Sequence, residues 1–314
     1  MYEIALSVAA CVRAGTRVDV AWVVDAQGFG SRDKGEALGI TPGGGRLGSL
    51  LSGALDGQLV ELAERGGAGR LVDLHVGEME AELAGLVCGG TARCLVVPAA
   101  ELPAGLWERL RARDPVCLVT RLDGERVVET TMYDPGTVAG AGEETARLVG
   151  RGVSDTAVSP DAVTTVLWPV PKLVIVGSGA IADALTKAAE LLGWHTQATT
   201  QVGTATGVIA GLAVLDKVVV MSHDNELAGP ALEAALDGEV GYIGALGSRR
   251  TQQSRADWLA YRGVTDLSRV HGPAGLDIGA NTPPEIAVAI LAEALAVRSG
   301  AGAGSLREKS GAIH

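Results

Sequence analysis

The chain has 314 residues, of which 47% are hydrophobic, so it is long enough for two domains and apolar enough to bury a core in each. Its net charge of −11 excludes a general nucleic-acid-binding protein, which needs a basic surface. The four cysteines show no regular spacing, which excludes a secreted disulfide scaffold. With no signal peptide and no apolar run of about 20 residues, the chain is predicted to be cytoplasmic and to bind no membrane.

Residues 1–133 are predicted to form an N-terminal α+β domain. Its apolar residues recur with the helical period in some segments and alternate in others, and Asp123-Gly124 is a typical hairpin turn. The predicted elements are helices over 4–14, 56–65 and 106–112, strands over 18–24 and 91–97, and a hairpin over 117–131.

Prolines and small polar residues punctuate residues 134–171, which we predict to be a linker. Strands then alternate with helices over 172–299, and this pattern predicts a Rossmann-like parallel sheet with helices on both faces. The fold class is therefore α/β. Thr282, Pro283 and Glu285 have the pattern of an N-capped start to the last helix, and residues 300–314 are predicted to be a disordered tail.

A glycine-rich turn opens the second half. The buried strand Leu173–Val176 is followed by Gly177, Ser178, Gly179 and Ala180, and then by a helix. Glycines permit a tight turn and a close approach of backbone to a phosphate, which the helix N-terminus attracts. The sequence therefore predicts phosphate binding here. The alternative is a tight turn without a ligand.

The usual partner of such a turn is missing. In dinucleotide-binding folds an acidic residue at the end of the second strand holds the ribose of NAD. Here that strand, His195–Ala198, is followed by Thr199-Thr200-Gln201. The loss of the carboxylate argues against an ordinary dehydrogenase and is compatible with a different phosphate-bearing ligand.

Polar residues follow the next strand, Lys217–Ser222. This strand brings His223 and Asp224 to the carboxyl edge of the sheet, where ligands of open α/β sheets bind. A histidine beside acidic residues is a candidate for proton transfer or metal ligation. The alternative is a histidine that caps the strand by bonding to backbone.

A second candidate anion site follows the strand Tyr242–Leu246. Gly247 is succeeded by Ser248, Arg249 and Arg250 where a helix begins, and a guanidinium group can hold two phosphate oxygens. The alternative is a solvated pair of charges.

The loop from His271 to Gly279 leads into the last helix and is a candidate cover for a ligand. Asp277 is its candidate acceptor for a ligand N–H. The alternative is that Asp277 only orders the loop.

Together these stretches resemble the XdhC/CoxI family of accessory proteins for xanthine dehydrogenase and related molybdenum hydroxylases. The N-terminal half resembles the family more loosely: Cys88-Gly89-Gly90 matches one of its elements, but where a second cysteine is expected the sequence reads Ser52-Gly53-Ala54-Leu55. The C-terminal motifs that carry the resemblance are Gly177-Ser178-Gly179, Ser222-His223-Asp224, Tyr242 to Arg250, His271, Gly275 to Ala280, and Thr282 to Ala287.

The resemblance implies a maturation factor that binds the molybdenum–pterin cofactor (molybdopterin), supports its sulfuration and passes it to an apo-hydroxylase of the xanthine dehydrogenase or CO dehydrogenase type. It also implies a homodimer and a cysteine desulfurase as a further partner. The phosphate of the pterin would lie on Gly177–Gly179 or on Ser248–Arg250. Cys88 would be the thiol near the metal, as a ligand or in catalysis, because thiolates are soft ligands. A structural role for Cys88 is the alternative, and Cys11, Cys94 and Cys117 are predicted core residues.

Two other functions stay open. One is an NAD(P)-dependent oxidoreductase that has drifted from this scaffold, with His223 as the proton donor. The other is a protein-binding chaperone that has lost the ligand. The first predicts saturable nicotinamide binding, and the second predicts that changes at Gly179 and Arg249 leave maturation unaffected.

Overall fold

A computed structural model describes residues 1–29, 34–305 and 307. The chain divides into two compact units, Met1–Pro169 and Val170–His314. The predicted tail over 300–314 lies partly outside the described residues. No helix in the described part of the chain is both long and apolar enough to cross a bilayer.

Unit 1 is built on a nine-stranded sheet in the order β3-β2-β1-β5-β4-β7-β6-β9-β8, in which every pair is antiparallel. The strands are β1 (Asp19–Gly28), β2 (Leu38–Thr41), β3 (Gly45–Gly48), β4 (Arg70–Val76), β5 (Gly90–Pro98), β6 (Val116–Asp123), β7 (Arg126–Tyr133), β8 (Asp155–Val158) and β9 (Ala162–Leu167). The helices are α1 (Ala5–Arg13), α2 (Asp56–Glu64), α3 (Glu78–Leu83), α4 (Leu106–Ala112) and α5 (Glu143–Gly150), with short 3₁₀ helices at Tyr2–Ile4, Leu51–Gly53, Ala99–Glu101 and Val138–Ala141.

The sheet of unit 1 curls, so that strands far apart in its order come into contact. The Trp22 indole N–H on β1 donates to Thr165 Oγ1 on β9 at 3.0 Å, and Thr156 Oγ1 on β8 donates to the Val24 carbonyl on β1 at 2.6 Å. Both Trp22 and Thr165 are buried, so the hydrogen bond between them satisfies polar atoms that would otherwise be costly inside the core.

Residues 134–171 do not form the predicted linker. They contain α5, β8 and β9, and β9 pairs with β6 from Val116↔Leu167 to Arg121↔Ala162. Pro160 and Pro169 lie just outside β9, where the lack of an N–H is tolerated. The prolines therefore bound a strand instead of separating two domains.

Unit 2 is a five-stranded parallel sheet with helices on both faces, as predicted. In chain order its elements are β10 (Lys172–Val176), α6 (Ala180–Leu191), β11 (His195–Thr199), α7 (Val202–Ile209), β12 (Lys217–Val220), α8 (Asn225–Asp237), β13 (Tyr242–Ala245), α9 (Arg249–Tyr261), β14 (Val270–His271) and α10 (Pro283–Ser299).

Alternation along the buried strands decides which helix covers each face. On β10, Val174 and Val176 pack with α7, α8 and α9, whereas Leu173 and Ile175 pack with α6 and α10. Successive side chains of a strand point to opposite faces, so an unbroken apolar run is what a sheet covered on both sides requires.

Candidate functional site

The strand order of unit 2, β11-β10-β12-β13-β14, creates a crevice between β10 and β12. After β10 the chain crosses to one edge of the sheet, and after β12 it crosses toward the other. The loops leaving these two neighbouring strands therefore diverge, and such switch points bind ligands in open α/β sheets. A cleft of about 810 Å³ lies there, and it is lined by Gly177, Ser178, Ala180, Ile181, Thr200, Met221, Ser222, His223, Leu227, Leu246, Gly247 and Pro283.

The two glycines of the turn after β10 have different roles. Gly177 has φ +139°, and a Cβ there would lie 3.0 Å from Met221 Cβ and 3.2 Å from the Ser222 backbone nitrogen. Gly177 therefore allows the loops after β10 and β12 to approach. Gly179 has φ +107° and ψ −177°, a conformation that only glycine adopts readily, and a Cβ there would meet no described atom within 4 Å.

The N-terminus of α6 has free backbone donors. The first intrahelical hydrogen bond from Gly179 runs from the Asp183 N–H to the Gly179 carbonyl at 3.0 Å, and no side chain of the described residues caps the helix. The N–H groups of Ala180, Ile181 and Ala182 are therefore available to a ligand, together with the positive end of the helix dipole.

Three later helices of unit 2 differ from α6, because side chains accept from their first backbone donors. Asp224 caps α8, because its Oδ1 accepts from the Glu226 N–H at 2.9 Å. Ser248 caps α9 by accepting from the Thr251 N–H at 3.3 Å. At α10, Glu285 accepts from the Thr282 N–H at 2.8 Å, which confirms the predicted start of this helix. Of these four helix starts, the one at α6 has no side-chain cap from the described residues.

The second strand of the sheet ends as the sequence predicted, without an acidic residue. β11 stops at Thr199, whose carbonyl accepts from the Gly177 N–H at 2.9 Å, and Thr200 follows on the wall of the cleft. A neutral hydroxyl thus stands where a dinucleotide-binding fold has its carboxylate.

A family model agrees with the fold of unit 2. Residues 173–294 match the family model of the XdhC Rossmann domain. Over this segment, the chain is similar to the XdhC Rossmann domain. It is 30% identical over 161 residues to the uncharacterized protein YqeB of Escherichia coli K12, an alignment that covers 45% of the chain and 30% of YqeB. The chain thus matches less than a third of the length of this relative. A solved structure described as a xanthine dehydrogenase from Bacillus halodurans is 20% identical, with a TM-score of 0.46, 97% of the chain covered and 98% of that structure.

Of the two polar residues predicted after β12, His223 lies on the wall of the cleft. Its side chain is exposed and forms no hydrogen bond with the described residues, so the alternative role as a strand cap is not realised. Its neighbour Asp224 is occupied as the cap of α8, which accounts for a carboxylate at this position. His223 is therefore the free imidazole of the cleft.

The predicted second anion site is only partly assembled. Ser248 uses its hydroxyl within α9, where it also lies 3.1 Å from Thr251 Oγ1. Arg249 and Arg250 are exposed on the first turn, and Arg249 lines a separate cavity of about 300 Å³ with Gln252 and other residues of α9 and of the loop before Pro273. Neither guanidinium group lines the main cleft.

The loop after β14 is held down against α10 and does not bring its predicted residues to the cleft. The ring of His271 stacks on Tyr242 at 5.0 Å, and its Nδ1 lies 3.8 Å from Glu293 Oε1. Glu293 Oε2 also accepts from the Gly275 N–H at 2.9 Å. Asp277 is exposed in a separate cavity of about 360 Å³ that this loop forms with α10.

Cys88 lies in unit 1, half-buried in the bend between α3 and β5. The next backbone N–H, of Gly89, donates to Glu78 Oε2 at 3.3 Å. The described residues contain no group of three or more His, Cys, Asp or Glu side chains placed to hold a metal ion. Cys88 therefore belongs to no such group in the described part of the chain.

The other three cysteines are core residues, as predicted. Cys94 and Cys117 are buried, and Cys11 packs half-buried against the largest core cluster of unit 1. Burial raises the pKa of the Cys117 thiol to about 11, so this side chain is a neutral thiol at physiological pH.

The sequence analysis did not identify Arg255, which lies on α9 outside the cleft lining and binds the backbone of two residues that line the cleft. Its side chain is 2% exposed, and it donates to the carbonyls of Ser222 at 2.7 Å and Leu246 at 2.5 Å. Arg255 and Leu259 are the buried residues of α9 and stand one turn apart. The sequence signal that could have found it is an arginine one helical turn before a leucine, on the side of α9 that faces the sheet.

Proposed function

We propose that this protein is an accessory factor of a molybdenum hydroxylase of the xanthine dehydrogenase type, and that it binds the molybdenum–pterin cofactor in the cleft of its XdhC domain. The observation that carries the proposal is the uncapped N-terminus of α6 at the switch point of the sheet, opened by Gly179. The match of residues 173–294 to the XdhC Rossmann domain supports the accessory role.

The residues of the cleft fit the phosphate end and the flat ring of such a cofactor. The free N–H groups after Gly179 suit a phosphate, and the open space at this glycine is what a Cβ would occupy. Ile181, Met221 and Leu246 provide apolar surface for a ring. The volume of about 810 Å³ is in the usual range for a site of this kind.

When bound, the cofactor supplies a molybdenum centre with soft-ligand chemistry. Our assignment for Cys88 is a thiol that serves the sulfuration, and for His223 a group that holds or moves a proton at the cleft wall. Delivery to the apo-hydroxylase, a sulfur supply from a cysteine desulfurase and a homodimeric state belong to the same proposal.

Anaerobic purification after incubation with the cofactor tests the proposal, with molybdenum quantified by mass spectrometry and pterin by fluorescence. We expect both in near-equal amounts in the wild type, and a reduced load in Gly179→Ala. Cys88→Ser is expected to keep the pterin and to lose activation of the partner hydroxylase. Neither molybdenum nor pterin in the wild-type protein would refute cofactor binding.

A second candidate is an NAD(P)-dependent oxidoreductase with His223 as the proton donor. The observation in its favour is the glycine turn from Gly177 to Gly179 before α6, which dinucleotide-binding folds share. The neutral Thr200 opposes it, because the ribose loses its usual acceptor. Calorimetric titration with NAD(H) and NADP(H) separates the two functions, and the absence of saturable binding at millimolar concentration would eliminate this one.

A further inference from the structure

Arg255 joins the two loops that form one side of the cleft. One guanidinium nitrogen donates to the carbonyl of Ser222, in the loop after β12, and the other donates to the carbonyl of Leu246, in the loop after β13. Both carbonyl residues also line the cleft. The planar fork of arginine suits two acceptors at a fixed separation, which a lysine cannot bridge.

The positive charge of Arg255 has no carboxylate partner within the described residues. Its contacts are the two carbonyls and Gln252 Oε1 at 3.3 Å, and its Nε is buried without a hydrogen-bond partner. Burial lowers the pKa of the guanidinium, which marks the energetic cost of keeping this charge out of water. Buried charges are ordinarily paired with an opposite charge, whereas the described residues offer this one only carbonyl and amide oxygens.

We infer that Arg255 is the positioning residue of the cleft: it fixes the loops after β12 and β13, and its charge makes the cleft selective for an anionic ligand. The inference rests on the proposed ligand site of the XdhC domain. The carbonyl oxygens of Ser222 and Leu246 are directed toward the guanidinium, so they are not turned toward a ligand phosphate. Removal of Arg255 frees these two dipoles and also removes the attraction.

Arg255→Met and Arg255→Lys test the inference, with pyrophosphate as the probe and isothermal titration calorimetry as the measurement. Arg262→Met is the matched control, because Arg262 lies beyond the opposite end of α9, pairs with Glu233 at 3.1 Å and is 48% exposed. We expect Arg255→Met to weaken pyrophosphate binding about tenfold or more. Arg262→Met should stay within about twofold.

The lysine variant separates charge from simple packing. Arg255→Lys keeps the charge and loses the fork, so we expect an affinity between those of the wild type and Arg255→Met. The salt dependence of pyrophosphate binding should stay near the wild-type slope in Arg255→Lys and become shallower in Arg255→Met. A purely structural role would leave that slope unchanged. If Arg255→Met does not fold, Arg255→Lys decides alone. A pyrophosphate affinity of Arg255→Lys equal to that of the wild type would then overturn the inference.

The outcomes distinguish this inference from the proposed function. Wild-type binding of pyrophosphate with an unchanged Arg255→Met affinity rejects the role of Arg255 and leaves the anion site intact. If pyrophosphate binding depends on Arg255 but the protein takes up neither molybdenum nor pterin, the proposed cofactor is rejected and the role of Arg255 stands. A wild-type protein that binds no pyrophosphate at millimolar concentration rejects the role of Arg255 in anion selectivity, and the uptake of molybdenum and pterin still decides the proposed cofactor.

Discussion

Gly179→Ala is the sharpest test of the cleft, because its backbone cost and its effect on the ligand can be measured separately. The φ of +107° and ψ of −177° at this position lie in a region that non-glycine residues enter at a cost of roughly 1–3 kcal/mol. The new methyl group meets no described protein atom within 4 Å, so no steric clash adds to this cost. It extends instead into the open space at the start of α6.

Gly193→Ala is the matched control. Gly193 follows the other end of α6, has φ +74°, and a Cβ added there would also have no described atom within 4 Å. Its left-handed conformation costs about 1–2 kcal/mol for alanine. Both variants should therefore lower the free energy of unfolding by a similar amount, measured by urea denaturation, while only Gly179→Ala alters the anion site.

The ligand effect follows from mass action. A probe such as pyrophosphate at 100 times its Kd stabilises the folded state by about 2.7 kcal/mol. We expect this increment in the wild type and in Gly193→Ala, and an increment below about 1.4 kcal/mol in Gly179→Ala, whose affinity falls by more than tenfold. Equal increments in the two glycine variants would refute the assignment of the phosphate to α6.

Three further predictions concern stability and reactivity. Burial raises the pKa of Asp155, but hydrogen bonds, including one from Lys34 at 2.5 Å, outweigh it and hold the pKa below its usual value. Asp155 therefore stabilises unit 1 above about pH 4, and this contribution is lost as the pH falls through the lowered pKa. In urea denaturation at a series of pH values, Asp155→Asn should reduce the fall in the free energy of unfolding at acid pH. An unchanged fall would contradict the assignment. Tyr242→Phe removes the hydroxyl that donates to Glu293 at 2.6 Å, and should lower the free energy of unfolding in urea by about 1–3 kcal/mol. An unchanged free energy of unfolding would show that water replaces this hydrogen bond. The buried Cys117 thiol should stay unmodified by Ellman's reagent at pH 8 in the native protein and react on unfolding; rapid labelling of this residue in the folded state would disprove its burial.

Local pattern was sufficient to locate most elements of unit 2. The apolar run at Leu173–Val176, the glycines after it and the capped start at Thr282 each depend on neighbours in the sequence, so the turn, the helix start and the parallel sheet were all predicted. The missing carboxylate at Thr199-Thr200 was visible for the same reason.

Short or glycine-rich strands were missed in unit 1, since their identity depends on pairing partners distant in the chain. β2 and β3 have four residues each and join through Gly43 and Gly44, which have positive φ. β9 was hidden between two prolines and is defined by its pairing with β6. Cross-strand hydrogen bonds decide these strands, and no local window contains both partners.

The amino-acid sequence alone determined that unit 2 is a Rossmann-type α/β domain with a glycine-rich turn before α6, because periodicity, glycine positions and helix caps are local. Only the tertiary structure decided which polar residues meet at the cleft. It placed His223 on the wall and Arg255 behind it, gave Asp224 and Ser248 to helix caps, and held His271 against α10. Residue types show which chemistry is available, but side chains from different strands converge only when the order of the sheet brings their ends together.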